Sequence, residues 1–458
     1  MIRLQRLQAR NLFTLQAVRH SETLPPDGRA DAELRHWYVL ILLMLAYALN
    51  IADRFVISTL IEPIRSDLRI SDSAVAFLTG ASLAIFYVAA GLPLSVLADR
   101  VNRRNLIALS LGTWSLMTVI CGFTQTFRQL MGARVLVGIG EAGGTPPSQS
   151  LISDFFPWRR RPFALSIYAL GASVGAMLGS TAGYFSDLWG WRSAFFILGV
   201  PGVLLACVLR FTVKEPLRGR LDIGPVPKVG RGFGDLLKFA RRQPALLHAM
   251  AGGALYSTWA LGMAWWMPSY LVRSHGVSVG SAGGAVSLMH GIGGSAVLFG
   301  TVLLMRKLIK LEARSVPRFL TLTCAIGAIP ALLALLASTK GAALCMLWLF
   351  IPLSYAPIGP CFALVQNLVP APMRSKVVGL FLLMTTLGNL VIAPQLVGLA
   401  SDLLNARYGV DALRMVLIPL SLVGLWAAAH FLMCSTRLKA GLVRAGNSGG
   451  FIIMAAGD

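Results

Sequence analysis

The sequence predicts an all-α integral membrane protein of twelve transmembrane helices, arranged as two pseudo-symmetric six-helix bundles. Three observations carry that expectation. Of the 458 residues 56% are hydrophobic and only 13% are charged, too apolar a balance for a soluble chain of this length. Apolar runs of roughly 20 residues, each able to cross about 30 Å of hydrocarbon as a helix, recur near 37–60, 74–96, 105–126, 128–152, 163–187, 191–213, 245–271, 280–305, 317–338, 341–368, 376–402 and 411–434. Both tails and the even-numbered connections hold 30 Lys and Arg against 8 in the odd-numbered ones. That bias places both termini and the long middle loop in the cytoplasm, and the chain as a multi-pass protein in the inner (plasma) membrane. The formal net charge of +22 therefore reflects topology. A nucleic-acid partner is not expected, because the basic residues sit in short loops and not on one folded face.

Residues 1–36 carry six arginines, and the first acid is Glu22. With no small-residue cleavage site behind an apolar core, a secretory signal is excluded; a cytoplasmic tail attracted to anionic lipid, or a start site further downstream, is expected. The N-terminal bundle, 37–213, opens with the span "WYVLILLMLAYALNIADRFVISTL", in which Asp53 and Arg54 are embedded. Its fourth span, "ARVLVGIGEAGGTPPSQS", adds Arg134 and Glu141. Four such ions facing lipid would cost roughly 10 kcal/mol, so they are expected to face protein or water.

Seven residues turn a helix through about 700°, which leaves Arg134 and Glu141 on one face about 10.5 Å apart, able to line one cavity. Asp53 and Arg54 diverge by about 100°, so one can look into a cavity while the other braces a neighbouring helix. The four charges cancel while both acids are ionised. A proton on Glu141 or Asp53 makes the site net positive, which couples protonation to affinity for an anionic group. The competing reading is an inert ion pair that fixes packing. The following "GGTPPSQ", 143–149, removes two backbone donors in mid-span, and carbonyls freed at that depth need protein or water beside them. Glycines at 171, 175, 179 and 183 form a stripe on the fifth span, which reads as close helix approach or as a contact that slides.

The linker 214–244, rich in Gly, Pro and charge, contains a short amphipathic helix at 235–242 and divides the spans six and six. In the C-terminal bundle, 245–435, the seventh span offers Trp259, Trp265, Trp266 and Tyr270 as an apolar wall for a lipid-like tail, with interface packing as the alternative. His290 in the eighth span reads as a satisfied packing residue, since no acid stands near it in sequence. A cytoplasmic tail, 436–458, closes the chain. The six cysteines, Cys121, Cys207, Cys324, Cys345, Cys361 and Cys434, share no metal-like spacing and read as small buried apolar groups.

Traces of duplication support the division. "PPSQSLISDFFPWRRRPFALSIY" and "GPCFALVQNLVPAPMRSKVVGLF" align at an offset of 213 residues, matching Pro147 with Pro360, Pro157 with Pro370 and Arg161 with Arg374. Both continue to a Ser-Asp pair, Ser186-Asp187 and Ser401-Asp402. Six spans separate the copies, so the halves enter the membrane in one orientation and are related by an axis along its normal. Glu141 aligns with Ser354 and Arg134 with Leu347; the charges belong to one half only.

The loop "SVLADRVNRRNLI" between the second and third spans resembles the signature loop of the major facilitator superfamily, with Ser95 and Asn102 where two glycines are usual. "NIADRFVIS", "GEAGGTPPSQSLISDFFP" and "LADRVNRRNLIALSLGTWSLMT" are similar to its spinster branch. The resemblance implies that the first-span Asp53 and Arg54 and the fourth-span Arg134 and Glu141 serve proton coupling and a polar cavity. It also implies that Asp99, Arg103 and Arg104 lock the cytoplasmic side in the outward-facing state. The expected protein is a monomeric, proton-coupled secondary transporter without cofactor or metal. Glu141 and Asp53 would carry the proton, while Arg134, Arg54, Trp265 and Trp266 would bind an amphipathic anionic or zwitterionic solute such as a lysophospholipid or sphingolipid. A carrier of organic acids or drugs, or a non-transporting sensor, are the alternatives. An enzyme is not expected, because the hydrophilic segments are short and carry no GxSxG, HExxH or P-loop motif.

Overall fold

The structure, a computed structural model, describes residues 26–80, 100–157, 160–217, 233–370 and 373–445, with scattered positions between 82 and 97. Eight helical stretches among the described residues are long and apolar enough to cross a bilayer. The longest, Lys376–Arg444, holds two of the expected spans, so the eight account for nine of twelve. The second span falls largely outside the described residues. The other two differ for physical reasons. The fourth is interrupted, and neither Phe127–Glu141 nor Thr145–Phe155 suffices alone. The seventh, Pro244–His275, is continuous over 32 residues but rich in Gly, Ser, Trp and Tyr. Most of it is buried among other helices, where a lipid-soluble surface is not required.

The interruption of the fourth span occurs at 142–144, and its counterpart in the tenth at 354–357, the same offset of 213 that relates the sequence repeats. Pro146 stands in the first turn of the new helix, where a missing amide costs nothing. The prolines thus restart the chain more than they kink it. Each half therefore turns its fourth span at mid-depth, and Glu141 closes the first segment of one while Ser354 follows the first segment of the other.

The glycine stripe of the fifth span packs against the first. A methyl group at Gly175 would stand 2.3 Å from the Ala48 carbonyl, and one at Gly179 2.5 Å from that of Ala52, so these backbones touch. Gly183 continues the stripe across the seam between the halves, where a methyl group would meet the Val279 carbonyl at 2.4 Å.

Two reciprocal contacts display the pseudo-symmetry. Asp402, at the end of the eleventh span, accepts hydrogen bonds from the amides of Asp72 and Ser73 at 2.9 Å each, at the start of the second. Asp187, at the end of the fifth, accepts the amide of Gly280 at 2.9 Å, at the start of the eighth. Both are the acids of the Ser-Asp pairs. Each carboxylate meets the positive end of a helix from the other half, where negative charge is favoured. Ser71 and Ser278 complete the two helix starts as side-chain caps.

Among the described residues, contacts between the halves concentrate between mid-depth and the face opposite the chain termini, here called the far face. They include Ser58 to the Trp265 carbonyl (2.5 Å), Ser173 to Ser295 (2.8 Å) and Ser287 to the Met177 carbonyl (2.9 Å). The cysteines correct one expectation: Cys121, Cys324, Cys361 and Cys434 are buried, but Cys207 and Cys345 are exposed, both on helices whose outer sides face lipid. All six are free thiols.

Candidate functional site

The first and fourth spans bring the four membrane charges together as two pairs. Arg134 donates through Nη1 to Asp53 Oδ2, and the Thr118 hydroxyl lies 2.5 Å from Asp53 Oδ1. The Cys121 thiol lies close enough to both to interact electrostatically. One residue on, Arg54 turns the other way, and its Nε and Nη2 reach Glu141 Oε2 at 3.0 and 2.7 Å. Adjacent first-span residues thus grip two points of the fourth span, as their divergence on a helix requires.

Sequence reasoning placed Arg134 and Glu141 along one cavity, and the structure separates their surroundings. Both side chains are wholly buried, and only Arg54 keeps appreciable exposure, 15%. Asp53 and Arg134 face the third span inside their own half, whereas Arg54 and Glu141 form the less enclosed pair. A slim cavity with room for about one water lies about a helical turn further along the first and fourth spans, among Asn50, Trp114, Gly144, Thr145 and Ser148, and none of the four charged residues lines it.

Neither pair is saturated. Glu141 Oε1 and Arg134 Nε and Nη2 are buried with no hydrogen-bond partner among the described residues. A buried polar atom left unpaired costs about 1–3 kcal/mol, and well-made structural ion pairs avoid that cost by satisfying all their donors and acceptors. The spare lone pairs of Glu141 are what a proton would occupy, and the spare donors of Arg134 suit an acceptor.

Phe55 follows Arg54 and carries the site to the other half. Its ring lies 5.8 Å from that of Trp265 and 4.9 Å from that of His290, edge-on. His290 sits in a one-turn π-helical segment, Met289–Gly294, of a kind that recurs at functional sites. Its Nδ1 is 2.9 Å from the Tyr355 hydroxyl, but its buried Nε2 has no hydrogen-bond partner among the described residues. The expected satisfied packing residue is thus satisfied on one side only. A second π-helical segment, Leu387–Ile392, holds Asn389, whose Nδ2 donates to Ser257 at 3.0 Å while its Oδ1 has no hydrogen-bond partner among the described residues. No sequence pattern announces either segment.

Of the four aromatics, Trp265 is the one whose ring meets Phe55, and it too is buried. Trp266 is fully buried and, one residue on, points about 100° away. Trp259 packs on Phe350 and Gly424 within the C-terminal half, and the Tyr270 hydroxyl donates to the Ala334 carbonyl at 2.6 Å there.

On the face that carries the termini, Arg103 and Arg104 begin the third span. Arg103 reaches Asp154 at 2.6 Å, Glu215 at 2.8 Å and Ser150 at 2.9 Å, while the Arg104 amide and guanidinium bond Glu215 and the Val213 carbonyl. This knot ties the third, fourth and sixth spans of one half. Asp99 lies outside the described residues. Asp154 and Glu215 were missed in the sequence; "SDFFP" and "VKEP" mark span ends with an acid before proline, and only this context could have suggested them.

The far face holds a second network that sequence reasoning did not anticipate. Arg273, at the end of the seventh span, grips both Asp72 oxygens at 2.6 Å and Glu62 at 2.8 Å, and Ser401 donates to Asp72 at 2.7 Å. Burial works against ionisation of Asp72, but the hydrogen bonds and charge of Arg273, helped by Ser401 and Arg65, outweigh it and hold the carboxyl below its ordinary value. Burial likewise opposes the charge on Arg273, and the two acids more than compensate, raising its pKa.

Comparison with known proteins places this arrangement among others. The sequence model for the Major Facilitator Superfamily matches residues 43–394. The chain is 31% identical to an MFS-type efflux pump of Mycolicibacterium smegmatis over 89% of its length and 95% of that protein's. It is 28% identical to a sphingosine-1-phosphate transporter of Danio rerio over 51% of its length and 47% of that protein's. Among solved structures, a bacterial homologue of the human lysosomal transporter spinster, in an inward-facing and unoccupied conformation, superposes with a TM-score of 0.78 at 27% identity. That match covers 89% of this chain and 98% of the other.

Proposed function

The chain belongs to the major facilitator superfamily, and from that premise we propose that it is a proton-coupled transporter of amphipathic anionic or zwitterionic solutes, lysophospholipid- or sphingolipid-like, working by alternating access. The observation that carries the reading is Glu141, buried and held by Arg54 through one oxygen while the other accepts no hydrogen bond among the described residues. A proton arriving at that oxygen cancels the partner charge of Arg54. Arg54, the most exposed of the four, then exchanges its bond to Glu141 for an anionic head group. Glu141 carries the proton, and Asp53, fixed by Arg134 and Thr118, sets the local charge balance. Phe55 and Trp265 supply apolar surface for the tail. Asp99, Arg103 and Arg104 close the terminal face in the opposite state.

Orientation supports the cycle. With the termini in the cytoplasm, as the basic loops indicate, the far face is the outside, and the half-to-half contacts concentrated there correspond to a state closed to the outside. The inward-facing form of the spinster homologue agrees with this, and the name of the zebrafish relative supports the lipid-like cargo. The likeness to the mycobacterial efflux pump favours a second reading, export of drugs by the same site.

Proteoliposomes under an imposed pH gradient test both. Accumulation of lysophosphatidylethanolamine or sphingosine-1-phosphate that collapses to the level of empty vesicles in Glu141→Gln is expected. Movement of cationic dyes but neither lipid would shift the reading to efflux. Uptake that keeps its pH dependence in Glu141→Gln would remove that residue from the mechanism.

A further inference from the structure

A cavity of about 650 Å³ opens on the terminal face, away from the central site, lined by Asp235, Lys238, Phe239, Arg242, Met373 and Arg444, with Gln243 at its edge. It lies between the amphipathic helix Phe233–Arg241, the start of the seventh span and the end of the twelfth. We propose that it binds the phosphate head group of an anionic phospholipid.

Charge is the first support. Lys238, Arg242 and Arg444 rim the opening, none forms an ion pair among the described residues, and Asp235 offsets only one of them. The remaining two positive charges suit a phosphodiester. Rigidity is the second. Gln243, buried, donates through Nε2 to the carbonyls of Leu368 (3.3 Å) and Gly441 (2.8 Å), tying three spans at the cavity's edge. Arg444 is held over it by a 2.6 Å bond to the Arg242 carbonyl. The cations therefore stand on a fixed backbone frame, so the backbone need not be ordered on binding. Apolar surface is the third, and it selects a lipid over a free anion. Phe239 and Met373 contribute apolar lining. Leu237 and Leu247 are exposed close by, on the amphipathic helix and the first turn of the seventh span, where acyl chains would run beside a cationic rim.

The full-length protein in detergent, titrated with phosphatidylglycerol and followed by native mass spectrometry and thermal unfolding, tests the site. Phosphatidylglycerol is expected to be retained and to raise the unfolding temperature, while phosphatidylcholine and inorganic phosphate do neither. K238Q/R242Q/R444Q is expected to lose this response by about fivefold per charge removed. R306Q/K307Q, which strips two exposed cations from the same face, should keep it. Lys238 is exposed and makes no hydrogen bond among the described residues, so Lys238→Gln alone isolates the charge if the triple variant folds poorly. An equal loss in R306Q/K307Q, equal retention of phosphatidylcholine, or protection by inorganic phosphate matching that of the lipid would overturn the proposal.

Discussion

The molecule holds two ionic clusters of similar composition and opposite finish. On the far face, Arg273 spends its donors on Asp72 and Glu62, and Asp72 receives Ser401 as well. At mid-depth, Arg134 keeps two nitrogens and Glu141 one oxygen without a hydrogen-bond partner among the described residues, although both are buried more completely. Burial alone would predict the reverse, since the desolvation penalty is steeper at depth. Completeness suits a clasp that must hold one conformation, and incompleteness suits a site that must exchange partners. The clasp joins the two halves, whereas the incomplete cluster lies within one.

The hardest way to break this comparison is to remove a single ion from the deep cluster. Arg134→Leu leaves Asp53 buried without its counter-ion and is expected to lower stability by about 3–5 kcal/mol. Adding Asp53→Leu should return most of that loss in thermal unfolding but none of the pH-driven uptake. Recovery of both would reduce the pair to packing. A smaller effect is expected at the clasp. Arg273→Gln removes charge-assisted bonds worth about 1.5–3 kcal/mol, so a cysteine placed at Ser58, behind the clasp, should react with an impermeant maleimide about ten- to a hundredfold faster. An unchanged rate would mean that the glycine-lined contacts hold the far face without it.

The gentlest probe is acid. Because the Asp72 carboxyl is held below its ordinary value of 3.8, its contribution is present above that pH and lost as pH falls through the lowered value. Ser58→Cys labelling, divided at each pH by the labelling of a fully exposed cysteine so that the falling thiolate fraction cancels, should therefore stay flat from neutrality to about pH 4 and rise only below it. Asp72→Asn should abolish the rise, and a rise centred near pH 6 would point to a histidine instead.

Much of the fold was legible because membranes punish ambiguity. Span lengths, basic loops and the proline-marked break of the fourth span all follow from local composition. The four charges stood out for the same reason. Their pairing did not, because it depends on helix rotation: Asp53 and Arg54 each could have met either partner. The clasp was hidden more deeply. Arg273 looked like one more loop cation, and its partners Glu62 and Asp72 lie 211 and 201 residues away in sequence. Asp187 and Asp402 were visible only as marks of duplication, and the π-helical turn around His290 has no signature in its residues. The roles of Trp266 and Tyr270 stayed open in the sequence, because an aromatic-rich helix reads alike whether it lines a pathway or fills a core.

The exchanged carboxylates, Asp187 on the start of the eighth span and Asp402 on that of the second, constrain how the protein switches. Each half lends its anchor to the other. In the proposed cycle, rocking open on the far face would expose the amides of Gly280, Asp72 and Ser73 to solvent together, like a buckle released at both ends.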